Sequence, residues 1–298
     1  MMFPINQELL LFNIVSGIML GTLYGLATMG LSLIFGVIKV VNVSHGALIM
    51  LGAYTAYWLY TLYLIPPFIS LGTAFLIGLA LGFSIFHGII KNVLGKPEMI
   101  SLVATFGLAI LFEETAKFLW GPDFRGYTWE IGRIEFMSFT IPLTRILASV
   151  SSLIIAISIY IFLYKTKMGM AIRGVTQEPE GAALCGINVI GIYSISVTLA
   201  IALTVASGVL ITLFVPAGIE PYMGGPYTLR AFVIAVLGGL ASPIGAFVAG
   251  LIFGLAETLS YGFLSLLPIS SAFAMTRFVA FSLLLILLLI RPEGLFRR

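Results

Sequence analysis

The sequence predicts an all-α polytopic membrane protein of about eight spanning helices, with two further short helices that are broken or re-entrant and a weak internal repeat. Three observations carry this. Of 298 residues, 60% are hydrophobic and only 9% are Asp, Glu, Lys or Arg, against roughly 25% charged in an ordinary soluble domain. Mean hydropathy is +1.14. Apolar stretches recur from one end of the chain to the other, with short loops between them. A soluble globular protein is excluded, no separate aqueous domain fits, and residues 1–298 read as one transmembrane domain embedded in a lipid bilayer. Cys185 is the one cysteine and there are two histidines, so neither a disulfide framework nor a multi-cysteine metal site is available. A net charge of +3 is too small to argue for nucleic acid; in a membrane protein the informative quantity is where each charge sits.

In chain order the apolar segments fall near residues 9–28, 29–40, 44–64, 67–91, 100–119, 142–164, 190–214, 229–241, 243–266 and 273–290. The first Lys or Arg is Lys39, and no small-residue cleavage site follows the first apolar run, so that run reads as a retained span. Segments 29–40 and 229–241 reach only about 16–20 Å at about 1.5 Å per residue. That is short of a hydrocarbon core about 30 Å thick, and both read as half-helices or re-entrant pieces.

Orientation follows from basic residues in short loops, which stay on the cytoplasmic side. Lys91 with Lys96, Lys165 with Lys167 and Arg173, and Arg291 with Arg297 and Arg298 are therefore placed inside. The loop 120–141, with Asp123, Glu130 and Glu135, falls outside, as do the Pro66-Pro67 break and the proline-rich loop 215–228 with Pro216. If each short segment crosses, the N-terminus lies inside.

The two short segments occupy the same place in the order of elements: a long span, a short glycine-bearing piece, a sharp break, another long span. Gly30 to Gly36 followed by Asn42-Val-Ser-His-Gly46 corresponds to Val236-Leu-Gly-Gly-Leu-Ala-Ser-Pro-Ile-Gly245. Unwound backbone is tolerable in a membrane only where protein buries it or it lines a cavity, so paired breaks point to a transport pathway. Polar residues there are the pathway candidates: Asn42, Ser44, His45 and Gly46 at the first break, Gly238, Gly239 and Ser242 at the second. Ser242 also has the alternative of bonding its own backbone, and His45 that of packing or capping. His87 reads as a structural interfacial residue. Glu113, Glu114 and Glu257 are acidic residues inside apolar spans, functional candidates by default. Glu113 has Lys117 one turn on as a partner. Glu257 has Arg230, Arg277 or a substrate ammonium, and a structural ion pair is the preferred reading.

The longest polar stretch between spans is Lys165 to Asn188, inside by the charge argument. Pro179 suits a first helical turn, Ala182, Ala183 and Leu184 carry a short helix, and Gly186 and Asn188 end it. Such a segment offers a small apolar face to a partner.

Glu180 and Gly186, with Ala182 and Ala183 between, resemble the cytoplasmic loop by which ABC importer permeases dock on their ATPase subunit. The stretch GLSLIFGVIKVVNVSHGALIMLGAY, Gly30 to Tyr54, is similar to the N-terminal signature of the branched-chain amino acid permease family. Arg173 to Asn188 resembles that family's coupling loop, Val236 to Gly250 its glycine-rich break, and Arg291-Pro-Glu-Gly-Leu-Phe296 its C-terminal tail. The departures are Gly181, where the loop usually has alanine, and Ala47, where an acidic residue often follows the His-Gly pair. The resemblance implies a permease subunit in the inner membrane, a second related permease as heterodimer partner, two cytoplasmic ATPase subunits and an extracytoplasmic solute-binding protein. It places Arg173, Glu180, Ala182, Ala183 and Gly186 in the ATPase-coupling loop and implies no cofactor in this chain, ATP being hydrolysed by the partners. The residues agree on that point: Gly95-Lys96 is followed by Pro97, so no G-x-x-x-x-G-K-S/T phosphate cradle is present. The expected cargo is the leucine, isoleucine and valine group or related amino acids. A secondary transporter or channel for small amides such as urea is the alternative, and an intramembrane enzyme finds no paired nucleophile and base.

Overall fold

The computed structural model describes residues 7–136, 139–215 and 217–265, with scattered single positions between 275 and 294. Among the described residues ten helices follow in order: α1 Gln7–Ile38, α2 His45–Tyr63, α3 Pro67–Val93, α4 Glu98–Trp120, α5 Leu143–Lys165, α6 Lys167–Gln177, α7 Pro179–Leu184, α8 Val189–Phe214, α9 Gly224–Gly238 and α10 Pro243–Ser265. A π turn at Phe86–Ile90 lies inside α3. The connections between helices add two small antiparallel sheets, β1 Arg125–Gly126 with β4 Ala217–Ile219 and β2 Arg133–Phe136 with β3 Phe139–Pro142.

Among the described residues six helices are long and apolar enough to cross a membrane, α1, α3, α4, α5, α8 and α10, which makes the chain a multi-pass membrane protein. Of the eight expected spans, 44–64 is α2, whose Tyr54, Thr55, Tyr57, Trp58, Tyr60 and Tyr63 leave it too polar to qualify, and 273–290 lies outside the residues described as a continuous element, as do Arg277, Arg291, Arg297, Arg298 and Pro216. The short segment 29–40 is corrected: it continues 9–28 as one helix of 32 residues, so the first half-helix does not exist as a separate piece. Gly30 does not break α1; it lets α1 approach α8, where a Cβ would lie 2.7 Å from the Ala200 carbonyl oxygen. Only α9, with 15 residues, is the short element the sequence predicts.

α8 forms the centre of the bundle and is buried along most of its length. α1, α2 and α3 surround it, and small residues set the spacing, with Gly78 and Gly82 of α3 meeting backbone at Ala202 and Thr198. Along α1 the glycines Gly17, Gly21 and Gly25 meet Leu255, Leu251 and Phe247 of α10 in falling order, so these helices run antiparallel at backbone contact. This is the small-residue packing by which membrane helices gain van der Waals contact.

Phe12 near the start of α1 stacks on Phe139 at 4.5 Å. The amino-terminal end of α1 thus lies on the face of the 121–142 connection, opposite α6 and α7. If the basic loops are inside, this end of α1 is external; the condition for an internal N-terminus, a crossing at 29–40, is not met, because α1 runs unbroken through that segment. On the face of the 121–142 connection Tyr60 donates to the Thr128 carbonyl at 3.0 Å and the Tyr127 and Thr212 hydroxyls bond at 2.8 Å. Burial pushes the Tyr127 hydroxyl up to about 12, so it stays protonated. His87 is exposed in the π turn, its Nδ1 3.0 Å from the Phe83 carbonyl oxygen, in keeping with a structural role.

Candidate translocation and coupling sites

The first break, residues 39–44, joins α1 to α2 through Lys39 at φ 55°. Backbone leaving a helix inside a membrane protein needs substitute partners, and threonines of other helices provide them. The Thr105 hydroxyl of α4 donates to the Val41 carbonyl at 2.9 Å and accepts from the Val43 amide at 3.2 Å. Thr228 of α9 accepts from the Gly46 amide at 2.8 Å. Asn42, Ser44 and His45 are buried at 2%, 1% and 0% exposure. Ser44 donates to Asn42 Oδ1 at 2.6 Å, and His45 Nδ1 lies 3.4 Å from the Thr204 hydroxyl. His45 Nε2 is buried and has no partner among the described residues. Thr204 sits past the midpoint of α8, so α2 begins deep in the bundle. There Gly46 abuts Gly224, the first residue of α9, with a Cβ on Gly224 only 2.5 Å from the Gly46 carbonyl carbon. The N-terminus of the short helix therefore opens against the first break.

The second break, residues 239–242, turns α9 back into α10. Gly239 takes φ 88°, Ser242 donates its amide to the Gly239 carbonyl at 2.8 Å, and its hydroxyl accepts from the Gly245 amide at 3.1 Å. Ser242 thus caps α10 ahead of Pro243, the local role weighed for it above. Gly238 and Gly245 face each other with no room for a side chain. Ser32 of α1 donates to the Leu240 carbonyl at 2.9 Å, so the segment read as the first half-helix is what packs on the second break.

Glu257 is met by Arg230 at 3.0 Å, with side-chain exposures of 13% and 10%. The guanidinium lies over the rings of Tyr24 and Tyr227, each at 5.6 Å. Of the partners read for Glu257 from the sequence, Arg230 is the one in contact with it. Lys117, by contrast, pairs with Glu114 at 3.5 Å and not with Glu113; Tyr222 bridges that pair, donating to Glu114 at 2.8 Å and accepting from Lys117 at 2.9 Å.

The stretch Lys165 to Asn188 folds as two helices, where the sequence predicts one. In α6, Gly169, Ile172 and Val175 are buried on one face, an amphipathic spacing of three that was open to reading but masked by the neighbouring charges. Thr166 starts it by accepting from the Gly169 amide at 3.0 Å. α7 ends where predicted: Gly186 has φ 81°, its amide donates to the Ala183 carbonyl at 2.9 Å, and the Ile187 amide donates to the Ala182 carbonyl at 3.1 Å, a Schellman closure. Asn188 belongs instead to the next helix, where its side chain accepts from the Gly191 amide at 3.0 Å and caps α8. Ala182 is buried, whereas Glu180, Ala183, Leu184 and Gly186 are exposed.

One cavity, of about 310 Å3, brings the two candidate regions together. It is lined by Ser32 and Gly36 of α1, Tyr164 of α5, Arg173 of α6, and Ala241 and Ser242 of the second break. The Arg173 guanidinium stacks over Tyr164 at 4.7 Å. His45 and Glu257 are not among its lining residues, so the predicted pathway residues fall in three separate clusters. The threonines Thr105, Thr204 and Thr228 were missed, since nothing local marks a hydroxyl whose partner is on another helix.

A family model described as the branched-chain amino acid transport system / permease component matches residues 13–289. The chain is similar to the high-affinity branched-chain amino acid transport system permease protein LivH of Escherichia coli (strain K12), 28% identical over 303 residues covering 95% of this chain and 94% of the relative. It is similar to permease protein BraD of Pseudomonas aeruginosa, 26% identical with 96% and 95% covered. The probable permease protein LivH of Methanocaldococcus jannaschii is 25% identical with 91% and 87% covered. No solved structure matches the chain. The protein is a transport subunit and not an enzyme, it is one part of an ABC transporter complex, and a subunit of this kind is expected to carry no cofactor. The chain belongs to the permease-component family of branched-chain amino acid transport systems.

Proposed function

We propose that the chain forms part of the translocation path of an ATP-driven importer of branched-chain or related amino acids in the cytoplasmic membrane. Its partners are a second related permease, two cytoplasmic ATPase subunits and an extracytoplasmic solute-binding protein. The observation that carries the reading is the cavity shared by Arg173 and Ser242. A chain without its own ATPase motif needs an element that feels the ATPase close, and α6–α7 is suited to that. Movement of α6 acts on the second break, the break turns the α9–α10 hairpin, and the N-terminus of α9 rests on the first break through Gly224 and Gly46. In this mechanism Asn42, Ser44, His45 and Gly46 face the path with Gly238, Gly239 and Ser242 at the opposite end of α9. Glu257 serves it by bracing the hairpin through Arg230.

Reconstitution in proteoliposomes tests the reading. Uptake of labelled leucine, isoleucine or valine is expected only with ATP, the ATPase subunits and the binding protein all present. Uptake driven by a proton or sodium gradient without ATP would assign the chain to secondary transport instead.

A further inference from the structure

Between α3 and α4, floored by α2, the bundle leaves an apolar groove of about 760 Å3. Leu51, Tyr54 and Trp58 form its floor, Leu76 one wall, and Phe112 and Trp120 the other. Leu76 is 64% exposed, although the groove lies alongside helices of spanning length. Tyr54 stacks on Trp120 at 4.2 Å, and Trp58 is 6.3 Å from it. This aromatic end lies beside the 121–142 connection, at the level where Trp and Tyr gather in membrane proteins.

Two features separate this groove from a plain lipid-facing surface. A cation stands at its aromatic end: Arg125 lies over Trp58 at 5.2 Å and over Tyr57 at 5.7 Å. Its Nη2 donates to the Trp120 carbonyl, whereas its Nε has no partner among the described residues. Two groups on the floor also lack partners there, the Tyr54 hydroxyl and the Trp58 Nε1–H, both buried. An indole N–H only donates, so an acceptor is what is missing, and buried donors left unpaired are costly.

We propose that this groove holds one glycerophospholipid of the external leaflet. An acyl chain lies along the α2 floor from Trp58 toward Leu51, an ester carbonyl oxygen serves the Trp58 and Tyr54 donors, and the phosphate sits on Arg125. Arginine suits a phosphate because its planar donors match the phosphate oxygens. The proposal is independent of which solute is transported.

The test is lipid retention by the purified transporter complex after extensive washing in mild detergent, with phospholipid measured by solvent extraction and mass spectrometry. Wild type is expected to keep a phospholipid, and Arg125→Gln to keep about fivefold less. Leu76→Trp fills the groove from an exposed position that tolerates bulk, and it should lose the lipid equally while leaving the Arg125 contacts intact. Added phosphatidylglycerol should raise the melting temperature of wild type and of neither variant, and Arg125→Lys should recover part of the retention. Absence of retained phospholipid in wild type, or retention at the wild-type level by either variant, would overturn the proposal. So would cross-linking of a Thr55→Cys variant to a co-purifying protein chain, which would give the groove to another subunit.

Discussion

Arg230 and Glu257 clasp the two arms of a helical hairpin at 3.0 Å, on either side of the bend at residues 239–242. Both side chains are nearly enclosed, so removing one leaves the other as an uncompensated buried charge, at a cost of about 3–5 kcal/mol. Arg230→Met and Glu257→Leu are each expected to lower the melting temperature and abolish uptake. Replacing both removes both charges, and the double variant should recover most of the stability and part of the uptake. A double variant that folds as well as wild type yet transports nothing would show that the pair contacts solute.

The second break depends on two glycines for different reasons. Gly239 needs its positive φ, so Gly239→Ala should cost about 1–2 kcal/mol of backbone strain. Gly238 needs space, because any side chain meets the backbone of Gly245 and not the yielding end of a side chain. Gly238→Leu is therefore expected to force α9 from α10 and to stop uptake even where the complex still assembles. Gly107 in α4 has nothing within 4 Å, and Gly107→Ala should be harmless or stabilise by up to about 1 kcal/mol. Thermal unfolding and uptake of the three variants side by side check the distinction.

Positions governed by local chemistry were legible in the sequence. The Gly186 helix stop, the turn at Gly239, the breaks near Asn42 and Ser242 and the short α9 each follow from residue types within a few positions of one another. The Arg230–Glu257 pair was legible as one of a few options because an intramembrane carboxylate needs a counter-charge. What stayed hidden depends on distance along the chain. Gly30 reads as a break until Ala200 is seen against it, and Thr105 and Thr228 hold the first break from positions 62 and 182 residues away. The course of α1 was hidden for the same reason, since a supposed break at 29–40 adds a crossing that the unbroken helix does not make.

Phe12 on Phe139 makes the orientation testable. A membrane-impermeant thiol reagent added outside cells should label cysteines introduced at Gln7 and at Asp123, which share one face. The native Cys185 is exposed on the other face and should be labelled only after the membrane is opened. Labelling of Gln7→Cys and Cys185 together from outside would contradict the placing of the start of α1 and of α6–α7 on opposite faces.

Coupling is carried by how α7 ends and by what it presents. The Gly186 amide and the Ile187 amide close the helix only while Gly186 keeps φ at 81°, a conformation that costs roughly 1–2 kcal/mol for a residue with a Cβ. Gly186→Leu should fray α7 and turn Ala182 out of its buried seat, weakening ATPase association without affecting membrane insertion. Glu180→Lys acts by charge alone. It is exposed in the first turn, where a positive side chain opposes the helix dipole by about 0.3–1 kcal/mol, so the fold should stand while docking on a basic partner surface fails. Gly186→Ala separates the two effects, since it adds backbone strain with almost no bulk and should sit between wild type and Gly186→Leu. Co-purification of the ATPase subunit and the ratio of ATP hydrolysed to solute moved are the measurements. Binding-protein capture on the opposite face should not change in any of the three. Wild-type ATPase recruitment and coupling in both Glu180→Lys and Gly186→Leu would remove α7 from the docking surface and leave α6, through Arg173, as the remaining contact between the cytoplasm and the second break.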